Sequence, residues 1–244
     1  MKVEFVNYSV SGLACRGALV HDDAARGRRP MLLVAPNWLG VTENVIERAK
    51  VLARDRYVAF VADMFGEGKG PKGTENPMEF LAPLINDAAE TRRRISAALQ
   101  AMSKEGNDRG LGDTSRRAAI GYCFGGSNVI DLARAGADVQ AVVSVHGVLA
   151  TPAPVTRKGA IKAAILVLHG AADPISPKAH RDMFESEMNA AGARWYSLVF
   201  GNVTHGYTDV GVNNPPVAVY NEPATRHGYA LAHAFIEDAF AGRI

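Results

Sequence analysis

A chain of 244 residues that is 48% hydrophobic and 21% charged, with 24 glycines, has enough apolar surface for one large core, which predicts a single domain over residues 1–244. Its 27 basic and 25 acidic residues leave a formal charge of +2, and the basic clusters Arg26-Gly-Arg-Arg29 and Arg92-Arg-Arg94 are short, which argues against a nucleic-acid partner. No apolar stretch suits a signal peptide or a membrane span, and the two cysteines form neither a disulfide framework nor a close metal pair, so the expectation is a soluble, cytoplasmic protein without a membrane partner.

Short runs rich in β-branched residues alternate with helical patterns along the chain. Val3–Asn7 and Leu13–Val20 read as strands close enough to make a hairpin at a sheet edge. Met31–Ala35 is the next strand, and a helix follows from Thr42 or Glu43 to about Arg54. After the strand Tyr57–Ala62 comes an irregular, glycine-rich stretch, Gly66–Asn76. From Met78 to Met102 the apolar residues Leu81, Leu84, Ile85, Ala88, Ile95, Leu99 and Met102 keep a helical rhythm, with Pro83 implying a kink or a fresh start. The strand Ala118–Gly121 leads to an amphipathic helix, Asn128 to Ala135, and then to the strand Val139–Val145. Thr151–Gly159 is irregular, and Ile165–His169 is a strand. Ser176 and Pro177 suit the N-cap and first turn of a helix that continues to about Ala190 and stops at Gly192. Trp195–Phe200 is a strand, Gly211–Pro216 a loop, and the last helix runs from near Thr225 to Phe240. The pattern predicts an α/β fold whose mostly parallel sheet is covered by helices on both faces, without internal repeats or a linker.

The chemistry centres on Gly121-Tyr-Cys123-Phe-Gly125. In such an elbow a strand turns sharply into a helix, and glycine two residues either side of the nucleophile removes side chains that would clash. The turn lifts the thiol to a helix N-terminus, which favours thiolate, and leaves the amide of Phe124 to donate to an oxyanion. The bland alternative is a buried cysteine before a helix. The context favours the elbow, because acid and base candidates follow in order. Asp173 lies just beyond a strand and before a proline-bounded helix, where an acid can orient an imidazole; otherwise it is a turn or cap residue. His205, in Gly201-Asn-Val-Thr-His-Gly-Tyr207, is the base candidate on a loop. His146 and His169 end or nearly end strands and could line the site, but both precede Asp173. His21, His180, His227 and His233 fall in a turn or on helices, and the histidines have no metal-ligand spacing.

In these residues the sequence resembles the dienelactone hydrolase family, a cysteine-nucleophile branch of the α/β-hydrolases. The resemblance rests on Ala35-Pro-Asn-Trp-Leu-Gly40, Val61-Ala-Asp-Met-Phe-Gly66, Gly121-Tyr-Cys-Phe-Gly-Gly126, His169-Gly-Ala-Ala-Asp-Pro174 and His205-Gly-Tyr-Thr208, which span most of the chain. It implies an α/β-hydrolase fold with Cys123 as nucleophile, His205 as base and Asp173 as orienter. It also implies an oxyanion hole made by the backbone N–H groups of Phe124 and Trp38. Asn37, Phe65 and Tyr207 are expected in the substrate pocket, with Trp38 and Phe124 as further apolar walls. Two positions depart from the family pattern. Asn37 stands where the family carries a glutamate beside the thiol, so activation would rest on His205 and the helix terminus. Asp209 stands where an arginine, four residues after the catalytic histidine, would grip a substrate carboxylate, and an aspartate there repels an anionic substrate.

The expected reaction is hydrolysis of an activated ester or lactone through a thioester acyl-enzyme. The alternatives are a thioesterase, a less well supported peptidase, and a ligand-binding protein that retains the hydrolase fold. No cofactor is expected: no phosphate-binding glycine loop opens a helix after the first strand, and Gly66–Gly73 lacks the Gly-Lys-Ser/Thr ending.

Overall fold

The computed structural model describes residues 1–244 except Asp55. Residues 1–120 and 121–244 form two compact units.

In the first unit, β1 (Lys2–Val10) and β2 (Leu13–His21) pair antiparallel across a two-residue turn. Ser11 and Gly12 both have positive φ, the geometry that matches strand twist in a tight hairpin. β3 (Arg29–Ala35) pairs parallel with β4 (Val58–Val61), which also pairs antiparallel with β2. Helix α1 (Glu43–Ala53) starts at Thr42, whose side chain accepts from the Val45 amide, and it buries Val45, Ala49, Leu52 and Ala53. Two helices follow, α2 (Pro77–Ile85) and α3 (Ala88–Asp108). The break expected at Pro83 falls instead at Asn86-Asp87. There Asp87 caps the new helix by accepting from Glu90, and the Thr91 hydroxyl donates back to the Leu84 carbonyl. Strand β5 (Gly112–Tyr122) is longer than its apolar stretch suggested and carries the chain into the second unit.

In the second unit, β6 (Ala141–Val145), β7 (Ala164–Gly170) and β8 (Trp195–Phe200) are parallel neighbours. Every residue of β6 and β7 is buried, as suits parallel strands covered on both faces, whereas β8 mixes half-buried and exposed residues. Helix α4 (Phe124–Arg134) begins four residues earlier than its amphipathic pattern, because the elbow feeds straight into it. Helix α5 (Lys178–Ala191) is not capped by Ser176: Pro177 holds the cap position, and the buried Ser176 hydroxyl accepts from the Leu149 amide instead. Arg134 and Glu187 form a buried pair between α4 and α5 (2.9 and 2.7 Å); the same guanidinium donates to Leu149 O, and Glu187 accepts from Val155 N. The irregular 151–159 stretch is thereby tied down at its middle, at Val155. β9 (Asn213–Asn214) falls within the expected 211–216 loop and pairs with β10 (Ala218–Val219) just beyond it. Helix α6 (Glu222–Phe240) starts three residues early because Asn221 caps it, and its stripe of Ala224, Gly228, Ala232, Phe235, Ile236 and Ala239 is buried.

Parallel strands alternating with helices in both units are the α/β architecture expected from the sequence. Among the described residues, no helix is long and apolar enough to cross a membrane.

Candidate active site

Strand β5 ends at Tyr122, and Cys123 makes the turn into α4 with φ 54° and ψ −118°. A non-glycine residue held there costs about 1–3 kcal/mol and persists only when its surroundings over-determine it. The surroundings do so. A side chain at Gly121 would run into the Gly125 carbonyl, and one at Gly126 would lie 2.8 Å from Gly147 Cα and 2.9 Å from Ser144 Oγ. The Cys123 N–H donates to Val145 O (3.0 Å) and to His146 Nδ1 (3.1 Å). Phe124 is the first residue of α4, so its amide is one of the N–H groups that point along the axis toward the elbow.

His205 is carried on the loop after β8, where its N–H bonds Val217 O at 3.1 Å. Asp173 follows β7. The two loops lie against each other because Gly170 has no side chain where Val203 O and Thr204 O approach, and because Ala172 N donates to Val203 O (2.9 Å). Asp173 Oδ1 accepts from the amides of Ile175 (2.8 Å) and Ser176 (3.1 Å), which leaves Oδ2 directed at His205 Nδ1, 2.8 Å away. On the other side of the ring, Nε2 lies 3.0 Å from Cys123 Sγ. The structure thus brings Cys123, His205 and Asp173 into one line, with His205 and Asp173 buried and the thiol partly open to solvent.

The electrostatics follow from this enclosure. Burial opposes a proton on His205, but the bond to Asp173 and the adjoining Cys123 outweigh it and push its pKa up to about 10. Burial works to raise Asp173, yet the hydrogen bond and charge of His205, with the two amides, hold it below the usual carboxylate value.

The two strand-end histidines are both wholly buried. His169 Nε2 lies 2.8 Å from Ser176 O and so braces the acid loop, while burial lowers its pKa and keeps it neutral. His146 sits beneath the elbow with Nε2 2.9 Å from Thr208 Oγ1, its ring edge-on to those of His205 (5.1 Å) and Tyr207 (5.2 Å). Its place in the chain, before the acid, hid this; a histidine-glycine pair closing a buried strand was the one available signal.

Tyr207, expected in the substrate pocket, is wholly buried and packs against His146 and Phe200 (5.5 Å), so it supports the base loop from within the core. In the first unit, Asn37 Oδ1 accepts from Leu39 N (3.1 Å) and its carbonyl accepts from Gly40 N (3.1 Å), so this residue closes its own turn. Trp38 at the tip of that turn is exposed, and Phe65 is half-buried against Phe80 (5.7 Å) with Gly40 beside its ring. Asp209 is half-buried on the His205 loop. Among the described residues, no three His, Cys, Asp or Glu side chains are grouped to hold a metal ion.

The profile of the dienelactone hydrolase family matches residues 15–240. An uncharacterised Caenorhabditis elegans protein is 30% identical over 152 residues, which are 61% of this chain and 93% of that one. A Methylorubrum extorquens protein provisionally named carboxymethylenebutenolidase is 24% identical over 191 residues, 75% of this chain and 65% of its own length. Among solved structures, a dienelactone hydrolase-like promiscuous phosphotriesterase from metagenomic libraries matches with a TM-score of 0.85 at 30% identity, covering 97% of this chain and 98% of that one. A structure named m3DLH matches at 0.89 and 29% identity, with 98% of each chain covered.

Proposed function

This chain belongs to the dienelactone hydrolase family, and from that premise we propose that it hydrolyses an activated carboxylic ester or lactone of a small molecule, as a single hydrolase domain, through Cys123, His205 and Asp173. The observation that carries the reading is the pair of contacts on one imidazole: 3.0 Å to the sulfur and 2.8 Å to the carboxylate.

The thiol proton passes to His205 Nε2, and the sulfur attacks the substrate carbonyl. The developing oxyanion takes hydrogen bonds from the Phe124 amide and, in this proposal, from that of Trp38. Asp173 stabilises the imidazolium and keeps Nδ1 as the protonated nitrogen. His205 then gives its proton to the departing oxygen, and a thioester remains. Acylation removes the sulfur's charge, and with it part of what held the proton on His205. The ring is then free to take a proton from water, whose oxygen attacks the thioester and releases the acid and the thiolate.

The chemistry constrains the substrate. A thiolate leaves more readily than most alkoxides and than any amine, so the first intermediate reverts unless the substrate's own leaving group is good. Enol esters, aryl esters and strained lactones fit this; amides do not. Asp209 on the base loop disfavours an anionic acyl group, which points to neutral or cationic substrates. Aryl phosphotriesters belong in the same panel, because a structural relative is named for that activity.

Turnover of a p-nitrophenyl ester tests the reading. Cys123→Ala should lower it by about 10⁴-fold or more, the scale on which loss of a catalytic nucleophile is felt. Equal turnover by the variant and the parent would defeat the assignment.

A further inference from the structure

We infer that His146 is a positioning residue, which holds the nucleophile's elbow and the base's loop at their working separation; the role rests on the triad reading above. The Cys123 N–H can only donate, so His146 Nδ1, 3.1 Å away, must present a lone pair. The ring proton is therefore on Nε2, where it donates to Thr208 Oγ1 at 2.9 Å. One neutral imidazole thus bonds the nucleophile's own amide on one side and, on the other, a side chain three residues after His205.

The backbone is shaped for this task. His146 has a φ of 40°, in the left-handed region, immediately after the last residue of β6, while its amide remains bonded to Leu168 O (2.9 Å). Strain of this kind in a wholly buried residue is maintained by its surroundings. Gly147 next to it has no side chain where Ser144 Oγ and the backbone of Gly126 and Ser127 crowd in, so the start of α4 backs directly onto this turn. Neutrality also matters. A cationic ring would set an N–H against the Cys123 N–H and place a second positive charge 5.1 Å from His205, between ring centres.

The 3.0 Å contact between Sγ and Nε2 has one end on the elbow and the other on the loop. His146 joins both, and small losses of alignment between reacting groups are felt strongly in rate.

The two bonds can be separated by substitution. In His146→Asn the side-chain oxygen reaches the place of Nδ1 and can accept from Cys123, and asparagine tolerates positive φ. In His146→Gln the amide nitrogen reaches the place of Nε2 and can retain the bond to Thr208, while the Cys123 N–H is left with Val145 O alone. Each variant breaks the bridge at one end, so we expect both His146→Asn and His146→Gln to lose about tenfold or more in kcat for a p-nitrophenyl ester at unchanged KM. Alkylation of Cys123 by iodoacetamide should slow in parallel, and it reports alignment whether or not the ester is a substrate. A His146→Asn or His146→Gln protein as fast as the parent in both assays overturns the inference. If melting curves show that His146→Gln does not fold, Thr208→Val decides: alkylation slowed severalfold supports the role, and an unchanged rate ends it. Activity that survives Cys123→Ala would sink the triad reading by a separate measurement.

Discussion

Two aspartates, one in each unit, sit buried just beyond a strand, and they commit their oxygens differently. Asp63, after β4, accepts four backbone amides: those of Phe65 (3.1 Å) and Gly66 (2.8 Å) on Oδ1, and those of Arg16 (2.8 Å) and Gly68 (2.7 Å) on Oδ2. Asp173, after β7, gives Oδ1 to two amides and keeps Oδ2 for an imidazole. Both carboxylates are satisfied, which is why burial is tolerated. The first is a staple with nothing left over, whereas the second retains one oxygen for a group that changes its charge during the proposed reaction. Position at the end of a buried strand does not separate them; only the order of Asp173 between Cys123 and His205 singles it out along the chain.

Substitution by asparagine should pull the two apart. Asp173→Asn can keep its amide bonds on Oδ1, but its NH₂ would face His205 Nδ1 and select the tautomer that cannot take the thiol proton. Its kcat/KM for a p-nitrophenyl ester should fall about 10²–10⁴-fold, the range for a lost acid–base function, with little change in melting temperature. Asp63→Asn should do the reverse. Whichever way its amide turns, one pair of backbone N–H groups meets an NH₂, and urea unfolding should show a loss of about 3 kcal/mol or more. An Asp63→Asn protein as stable as the parent would erase the contrast.

A finer test uses the proton that Asp173 helps to hold on His205. That proton is retained up to a pH of about 10 and lost above it. An alkyl ester needs it for the departing alkoxide, so its acylation rate should drop as pH rises through about 10. An aryl ester leaves as a stable phenolate, and its burst phase should be level across the same range. Parallel curves for the two substrates would place the proton elsewhere.

Much of this architecture can be read from the chain in one dimension. Largely apolar runs mark β6 and β7, a helical rhythm marks α3 and α6, and glycines two residues either side of Cys123 mark the turn that holds this residue at φ 54°. These features are local: a buried face repeats with the period of its element, and a tight turn excludes side chains at known offsets. Helix starts were less legible. Asn221 and the elbow each open a helix before any apolar periodicity begins, and Ser176, which looks like a cap, turns its hydroxyl to Leu149.

Sequence order alone also ranked Cys123, Asp173 and His205 together among many candidates. It could not say that Tyr207 is core, that Asp63 gathers amides from residue 16 as well as residues 65 to 68, or that His146 reaches Cys123 and Thr208 at once. Those outcomes depend on where a side chain points after a turn and on which distant backbone meets it. Neither quantity has a period along the chain, so only the folded arrangement of strands and loops decides them.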